Sequence, residues 1–151
     1  MNYEKAYTCR TCGKRFFSVR FKTAIFAEGI PSPWKEDALF SALSDPGMHL
    51  FVWDEANTVL AAVLFSTCLD EGEILSIATK KTARRRGIAR ALLSAVLSAS
   101  VEITAFFLEV RSRNVAAISL YHALGFSEIA VRKRYYSNPC DDAICMKFGK
   151  N

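Results

Sequence analysis

The sequence predicts an α/β (α+β) protein with a mixed, mostly antiparallel central sheet of about seven strands flanked by about four helices. Three stretches carry that expectation. Residues 49–79 hold three apolar runs, rich in β-branched and aromatic residues and separated by turn residues, as in an antiparallel meander. Residues 87–125 pass from helical periodicity to a nearly continuous apolar run and back to a capped helix. Two further strand-like runs then close the chain, about Ser127–Arg134 and Asp142–Phe148.

In chain order, residues 2–7 (NYEKAY) form a short candidate strand. From Thr8 to Ala27 the pattern fits two structures. Phe17, Val19 and Phe21 alternate as in a strand, while Phe17, Phe21 and Ala24 or Ile25 recur at helical spacing. Length and the interspersed basic residues favour a helix beginning near Thr11. Gly29-Ile30-Pro31-Ser32-Pro33 ends it. A second helix, Lys35–Leu43, opens at Ser32 or Pro33 and carries Glu36 and Asp37 in its first turn, where the helix dipole favours acids. Asp45-Pro46-Gly47 is a turn.

The strands His49–Asp54, Val59–Cys68 and Glu73–Thr79 follow, joined by Glu55-Ala56-Asn57 and Asp70-Glu71-Gly72. After Gly87, Ile88, Leu92, Ala95 or Val96, and Ala99 lie on one helical face. Ile103–Val110 (ITAFFLEV) is apolar on both faces, as in a central strand. Asn114 is an N-cap and Gly125 a helix stop, bracketing a helix with Ile118, Tyr121 and Leu124 on one side. A loop, Tyr135–Asp141, joins the last two strands as a hairpin. With no repeat, linker or low-complexity tract, residues 1–151 are expected to form a single domain.

Composition narrows the class. Of 151 residues, 51% are hydrophobic and 23% charged, which supplies a core and excludes a disordered chain. The net charge of +5 suits an anionic ligand or partner without choosing one. No signal peptide and no membrane span is visible, so a cytoplasmic protein is expected. Five cysteines, an odd number, point to reduced thiols. Cys9-x-x-Cys12-Gly13 is half of a zinc-ribbon pattern. Cys140 and Cys145 are too far apart to complete it, so no metal is expected.

The segment Arg84-Arg85-Arg86-Gly87-Ile88-Ala89-Arg90 carries the clearest chemistry. Gly87 allows a tight turn directly before a helix, whose first N–H groups have no intrahelical partner and a partial positive charge. Arginines beside such a helix mouth add charge-assisted donors, and the combination can seat a diphosphate. Taken alone, the same residues also fit a solvated basic turn. A G-x-G-x-x-G dinucleotide fingerprint and a Walker loop are both absent.

Arg84-x-x-Gly87-x-Ala89 resembles the Q/R-x-x-G-x-G/A signature of the GNAT superfamily of acetyl-CoA-dependent N-acetyltransferases. ILSIAT, just upstream, is similar to that family's fourth strand. FFLEVRSRNVAAISLYHALGF and RKRYYSNPCDDAICM are similar to its ribosomal-protein-alanine N-acetyltransferase (RimI) branch. The likeness spans roughly residues 30–149; Ser76 stands where the branch often has Asn. It implies the GNAT fold with acetyl-CoA as co-substrate. By this resemblance Ile77, Ala78 and Thr79 grip the pantetheine arm, Arg84, Arg85, Arg86, Gly87, Ile88, Ala89 and Arg90 hold the pyrophosphate, and Asn114 contacts the cofactor. Glu109 is implied as general base and Tyr121 as general acid beside the thiol. Pro33, Trp34, Tyr135 and Tyr136 are implied in acceptor binding.

Each residue also has a plainer reading. Glu109 at the end of an apolar strand could pair with Arg111 or Arg132. Tyr121 could be a core aromatic, Asn114 only a cap, and Tyr135 and Tyr136 strand-end aromatics. His49 and His122 show no partner pattern and read as structural or surface residues.

The leading expectation is transfer of acetyl from acetyl-CoA to a protein N-terminal α-amine, with a ribosomal protein as the branch's typical acceptor and the enzyme acting as a monomer. Transfer to an internal lysine or a small amine is the alternative. A non-catalytic basic RNA- or ribosome-binding module is the alternative of another class. It is disfavoured, because the basic residues cluster on one turn without an aromatic stacking pattern.

Overall fold

The computed structural model describes residues 25–26, 35–56 and 58–149. Among these, helix α1 (Glu36–Ala42) precedes strands β1 (Met48–Glu55), β2 (Thr58–Cys68) and β3 (Glu71–Thr79). A 3-10 turn (Lys81–Ala83) leads to α2 (Ile88–Ala99), then β4 (Ala105–Arg111), α3 (Val115–Ala123), β5 (Ser127–Ser137) and β6 (Cys140–Gly149). The six strands form one sheet in the order β1-β2-β3-β4-β6-β5. Every pairing is antiparallel except β3 with β4. A parallel pair needs a long crossover, and α2 supplies it.

Side-chain alternation along the strands splits the core into two layers. Ala61, Val63, Phe65, Phe106, Leu108 and Val110 face α2 and α3 in the larger cluster. Ala62, Leu64, Leu50 and Val52 face the other way, against Leu39 of α1 and the helical pair Ile25 and Phe26. No helix among the described residues is long and apolar enough to cross a membrane.

One irregularity shapes the centre of the sheet. β2 pairs Leu64 with Ser76 and Phe65 with Ile74, so Leu75 is an extra residue on β3. Such a bulge bends its strand and shifts the alternation by one. Ile74 and Ile77 therefore both face the larger cluster, whereas Ala78 joins the smaller one. Pairing of β3 with β4 runs only from Glu71↔Ala105 to Ile74↔Leu108 and stops at the bulge. Beyond it, the edge of β3 that faces β4 has no strand partner, and the two strands diverge.

Six of the seven expected strands are present, with corrected ends. β3 starts at Glu71, because the turn from β2 is tightened by Leu69 at φ 54°. Gly72 is then a buried strand residue, and a Cβ there would lie 2.5 Å from the Phe106 ring. β4 starts at Ala105, since the Thr104 N–H donates to the Asp70 carbonyl (2.7 Å) instead of a strand. Tyr135 and Tyr136 belong to β5 and not to a loop; only Asn138 and Pro139 separate β5 from β6. On α2 the buried face is Ile88, Leu92, Leu93, Val96 and Leu97, and Ala99 is exposed. The candidate strand 2–7, most of the helix expected from Thr11, the break at 29–33, Pro33, Trp34, Cys9 and Cys12 lie outside the described residues.

Candidate active site

The basic turn folds as its composition requires. After the 3-10 turn, Arg84 is extended (φ −66°, ψ 157°), and Arg85 (φ 63°) and Gly87 (φ 75°) are left-handed. Gly87 is the N-cap of α2; no side chain caps the helix, and no acid occupies its first turn. The opening N–H groups of α2 thus lack the side-chain acceptor that normally takes them. A Cβ on Gly87 would meet nothing within 4 Å, so glycine is required there by backbone conformation and leaves a bare surface.

A cleft of about 460 Å³ opens at this mouth. Ile77, Ala78 and Thr79 form one wall, and Arg84, Arg85, Gly87, Ile88, Ala89 and Arg90 the floor. Asn114, Ala116, Ala117 and Leu120 at the start of α3 close the far side. The Arg84 Nε donates to the Thr79 carbonyl (3.3 Å) and ties floor to wall. The Asn114 side chain accepts from the Ala117 N–H (3.2 Å), so it caps α3 as well as lining the cleft.

Arg86 is not in the lining. Its Nη2 lies 2.9 Å from Oε2 of Glu55, whose Oε1 accepts from the Trp53 indole (3.1 Å). Both partners are partly exposed, a setting in which an ion pair contributes at most about 1 kcal/mol. Its contribution is to moor the turn to β1.

Neither Glu109 nor Tyr121 is in the lining of the cleft, and the two lie on opposite faces of the sheet. Tyr121 is 5% exposed in the larger core cluster, with its ring centroid 5.8 Å from that of Phe126. Burial, and secondarily Tyr136, pushes its phenol well above the ordinary tyrosine value. Glu109 alternates with Leu108 and Val110 and so points to the other side. There the Arg132 Nε is 3.1 Å from its Oε1, and the Cys145 thiol donates to the same oxygen (3.9 Å). A hydrogen bond to Glu109 is the main cause of a raised pKa at Tyr135. Tyr136 stands against the Tyr135 ring (5.1 Å) and under the Arg111 guanidinium (4.1 Å), with its phenol raised by burial first and by Glu109 second.

Sequence reasoning missed Ala116, Ala117 and Leu120 as cleft lining and Cys145 as a neighbour of Glu109. Only the small side chains directly after the Asn114 cap could have signalled room there. His49 Nε2 is 3.0 Å from Thr67 Oγ1, whereas His122 is an exposed surface residue with Nδ1 3.1 Å from the Phe126 carbonyl and Nε2 3.3 Å from Glu128 Oε1.

A sequence profile of the acetyltransferase (GNAT) family matches residues 15–126. The ribosomal protein bS18-alanine N-acetyltransferase of Salmonella typhimurium is 32% identical over 118 residues, covering 76% of this chain and 79% of that one. The N-alpha-acetyltransferase of Sulfurisphaera tokodaii is 41% identical over 83 residues, 53% of this chain and 49% of that one. The crystal structure of the ribosomal-protein-S18-alanine N-acetyltransferase from Escherichia coli superposes with a TM-score of 0.80 at 29% identity, covering 87% of this chain and 86% of that one. With a cleft built at the signature turn and a profile match across most of its length, the chain belongs to the GNAT family, as an acetyl-CoA-dependent N-acetyltransferase of the RimI type.

Proposed function

We propose that the protein moves the acetyl group of acetyl-CoA to the α-amine of a protein N-terminus by direct attack, with Glu109 as general base and Tyr121 as general acid. The observation that carries this reading is the parting of β3 from β4. An uncapped, arginine-flanked helix mouth lies on one face of it, and a carboxylate under two tyrosines lies on the other. Relatives with N-terminal acetyltransferase names support the acceptor class, and a ribosomal protein is the acceptor we favour. The reading takes residues 1–151 as one catalytic domain acting as a monomer in the cytoplasm.

The chain's residues fit the co-substrate. The α2 mouth and the guanidinium groups of Arg84, Arg85 and Arg90 suit the diphosphate, while Asn114 and the Ile77–Thr79 backbone flank the remaining arm. Arg86 acts indirectly, through Glu55. When bound there, acetyl-CoA supplies a thioester carbonyl for attack.

The acid–base demands are modest. An α-ammonium has a pKa of about 7.7–8.0 against about 10.4 for lysine, so near pH 7.5 roughly a third of α-amines but only about one lysine in a thousand is neutral. A carboxylate, directly or through one water, can take the proton released as the amine nitrogen bonds to carbon. An N–H on the unpaired edge of β3 can hold the developing oxyanion, a donor worth about 3–4 kcal/mol. As the carbon–sulfur bond breaks, Tyr121 can give its proton to the thiolate. Hence the protein needs no covalent intermediate and no cysteine nucleophile.

Matched peptides test the acceptor, one with a free N-terminal alanine and one with that amine blocked, both carrying an internal lysine. Mass spectrometry should find acetyl on the free α-amine and none on the blocked peptide. Equal rates on the two would transfer the assignment to lysine or small amines.

A further inference from the structure

The strand that carries the two tyrosines is deformed, and one carboxylate fills the deformation. Arg132 pairs with Ala143 and Tyr136 with Asp141, so three residues of β5 (Lys133, Arg134 and Tyr135) stand opposite the single residue Asp142. A ladder cannot satisfy that stretch, and Asp142 does so instead. Its Oδ1 accepts from the Arg134 N–H (2.8 Å), and its Oδ2 accepts from Lys133 Nζ (2.9 Å). Arg134 is left-handed (φ 52°), a conformation that a non-glycine residue holds only when its surroundings impose it.

The adjacent carboxylate works in the other direction. Asp141, 7% exposed, accepts from Ser112 Oγ (2.6 Å), the Arg113 N–H (3.4 Å) and the Asp142 N–H (2.9 Å). The Ser112 N–H donates to the Asp142 carbonyl (2.9 Å). Ser112 and Arg113 form the turn that leads into the Asn114 cap of α3. Both acids are held below their ordinary pKa, Asp141 chiefly by the Ser112 hydroxyl and Asp142 chiefly by Lys133.

We propose that Asp142 is a positioning residue for acceptor recognition: it clasps Lys133 and the Arg134 N–H to fix the bulge that presents Tyr135 and Tyr136 beside Glu109, while Asp141 fixes the turn that starts α3. The two neighbouring carboxylates thus join the acceptor wall to the helix that carries Asn114 and Tyr121. This inference rests on the reading that the acceptor enters between Glu109 and the tyrosines.

The test is steady-state kinetics of the full chain with acetyl-CoA and a short peptide beginning with alanine. Asp142→Ala should raise the KM for the peptide about tenfold or more, because a wall displaced by about 1 Å is enough to do so, with the KM for acetyl-CoA within about twofold of wild type. Asp142→Asn keeps an acceptor for the Arg134 N–H and should show a smaller rise. Lys133→Met removes only an exposed contact of the clasp; it should move the same parameter in the same direction and serves where Asp142→Ala does not fold. An unchanged peptide KM in folded Asp142→Asn and Lys133→Met would overturn the inference, as would a parallel loss in both KM values. Glu109→Gln, run alongside, separates the two levels. If it abolishes turnover while the clasp variants leave the peptide KM alone, only the clasp fails. If it leaves turnover intact, the reading of the site fails first.

Discussion

Glu109→Gln is expected to lower kcat by about 10²–10⁴-fold, the usual contribution of a positioned general base, with the KM for acetyl-CoA unchanged. Glutamine has the size of glutamate and can still meet the Tyr135 hydroxyl and Arg132, so the β4–β6 region should keep its packing. It cannot accept a proton from the attacking amine. The cleft at the mouth of α2 is lined by α2, the start of α3 and the end of β3, and Glu109 is not among its lining residues. Kinetics at saturating acetyl-CoA with a free-amine peptide provide the check. If turnover survives, Glu109 serves only its contacts with Arg132 (3.1 Å), Cys145 and Tyr135.

Tyr121→Phe is expected to lower kcat by about 10²-fold or more, through loss of the proton delivered to the leaving thiolate. The substitution removes one hydroxyl and keeps the ring that packs against Phe126. Thermal stability should therefore change by no more than about 1 kcal/mol, the net worth of an ordinary hydrogen bond. The pH dependence has a definite sign. Burial favours the neutral phenol, so Tyr121 stays protonated, and hence competent as an acid, through the pH near 10 where an exposed tyrosine ionises. Wild-type kcat should show no loss from this group up to that pH. A wild-type alkaline fall well below it that disappears in Tyr121→Phe would contradict the assignment.

How much of this was legible in the sequence depended on whether the causes were local. The glycine turn into α2 could be read because its requirements sit within a few residues: a glycine at positive φ and a helix starting at Ile88, with arginines on either side. The Asn114 cap and the Gly125 stop were readable for the same reason, and both occur, with Gly125 at φ 93°.

Long-range choices were hidden. Nothing local assigns Arg86 to Glu55, because the acid arrives from β1, 31 residues away. Glu109 had two candidate partners; the structure gives it Arg132, since Arg111 is engaged with the Pro139 carbonyl (2.9 Å) and the Tyr136 ring. The bulge at Leu75 interrupts an apolar run without any glycine or proline to announce it, yet it decides which face Ile77 and Ala78 occupy. Tyr135 and Tyr136 read as loop residues because the carboxylate that keeps the distorted strand paired, Asp142, comes from the next strand.

The most direct test is a crystal structure with a bisubstrate ligand, a peptide joined through its α-nitrogen to CoA. The diphosphate should sit on the N–H groups at the start of α2 with Arg85 and Arg90 beside it. The sulfur should lie in the gap between β3 and β4, within reach of the Tyr121 hydroxyl, with the peptide nitrogen on the Glu109 side beneath Tyr135. A diphosphate bound away from Gly87, or a peptide leaving on the α2–α3 face of the sheet, would contradict the assignment of both substrates.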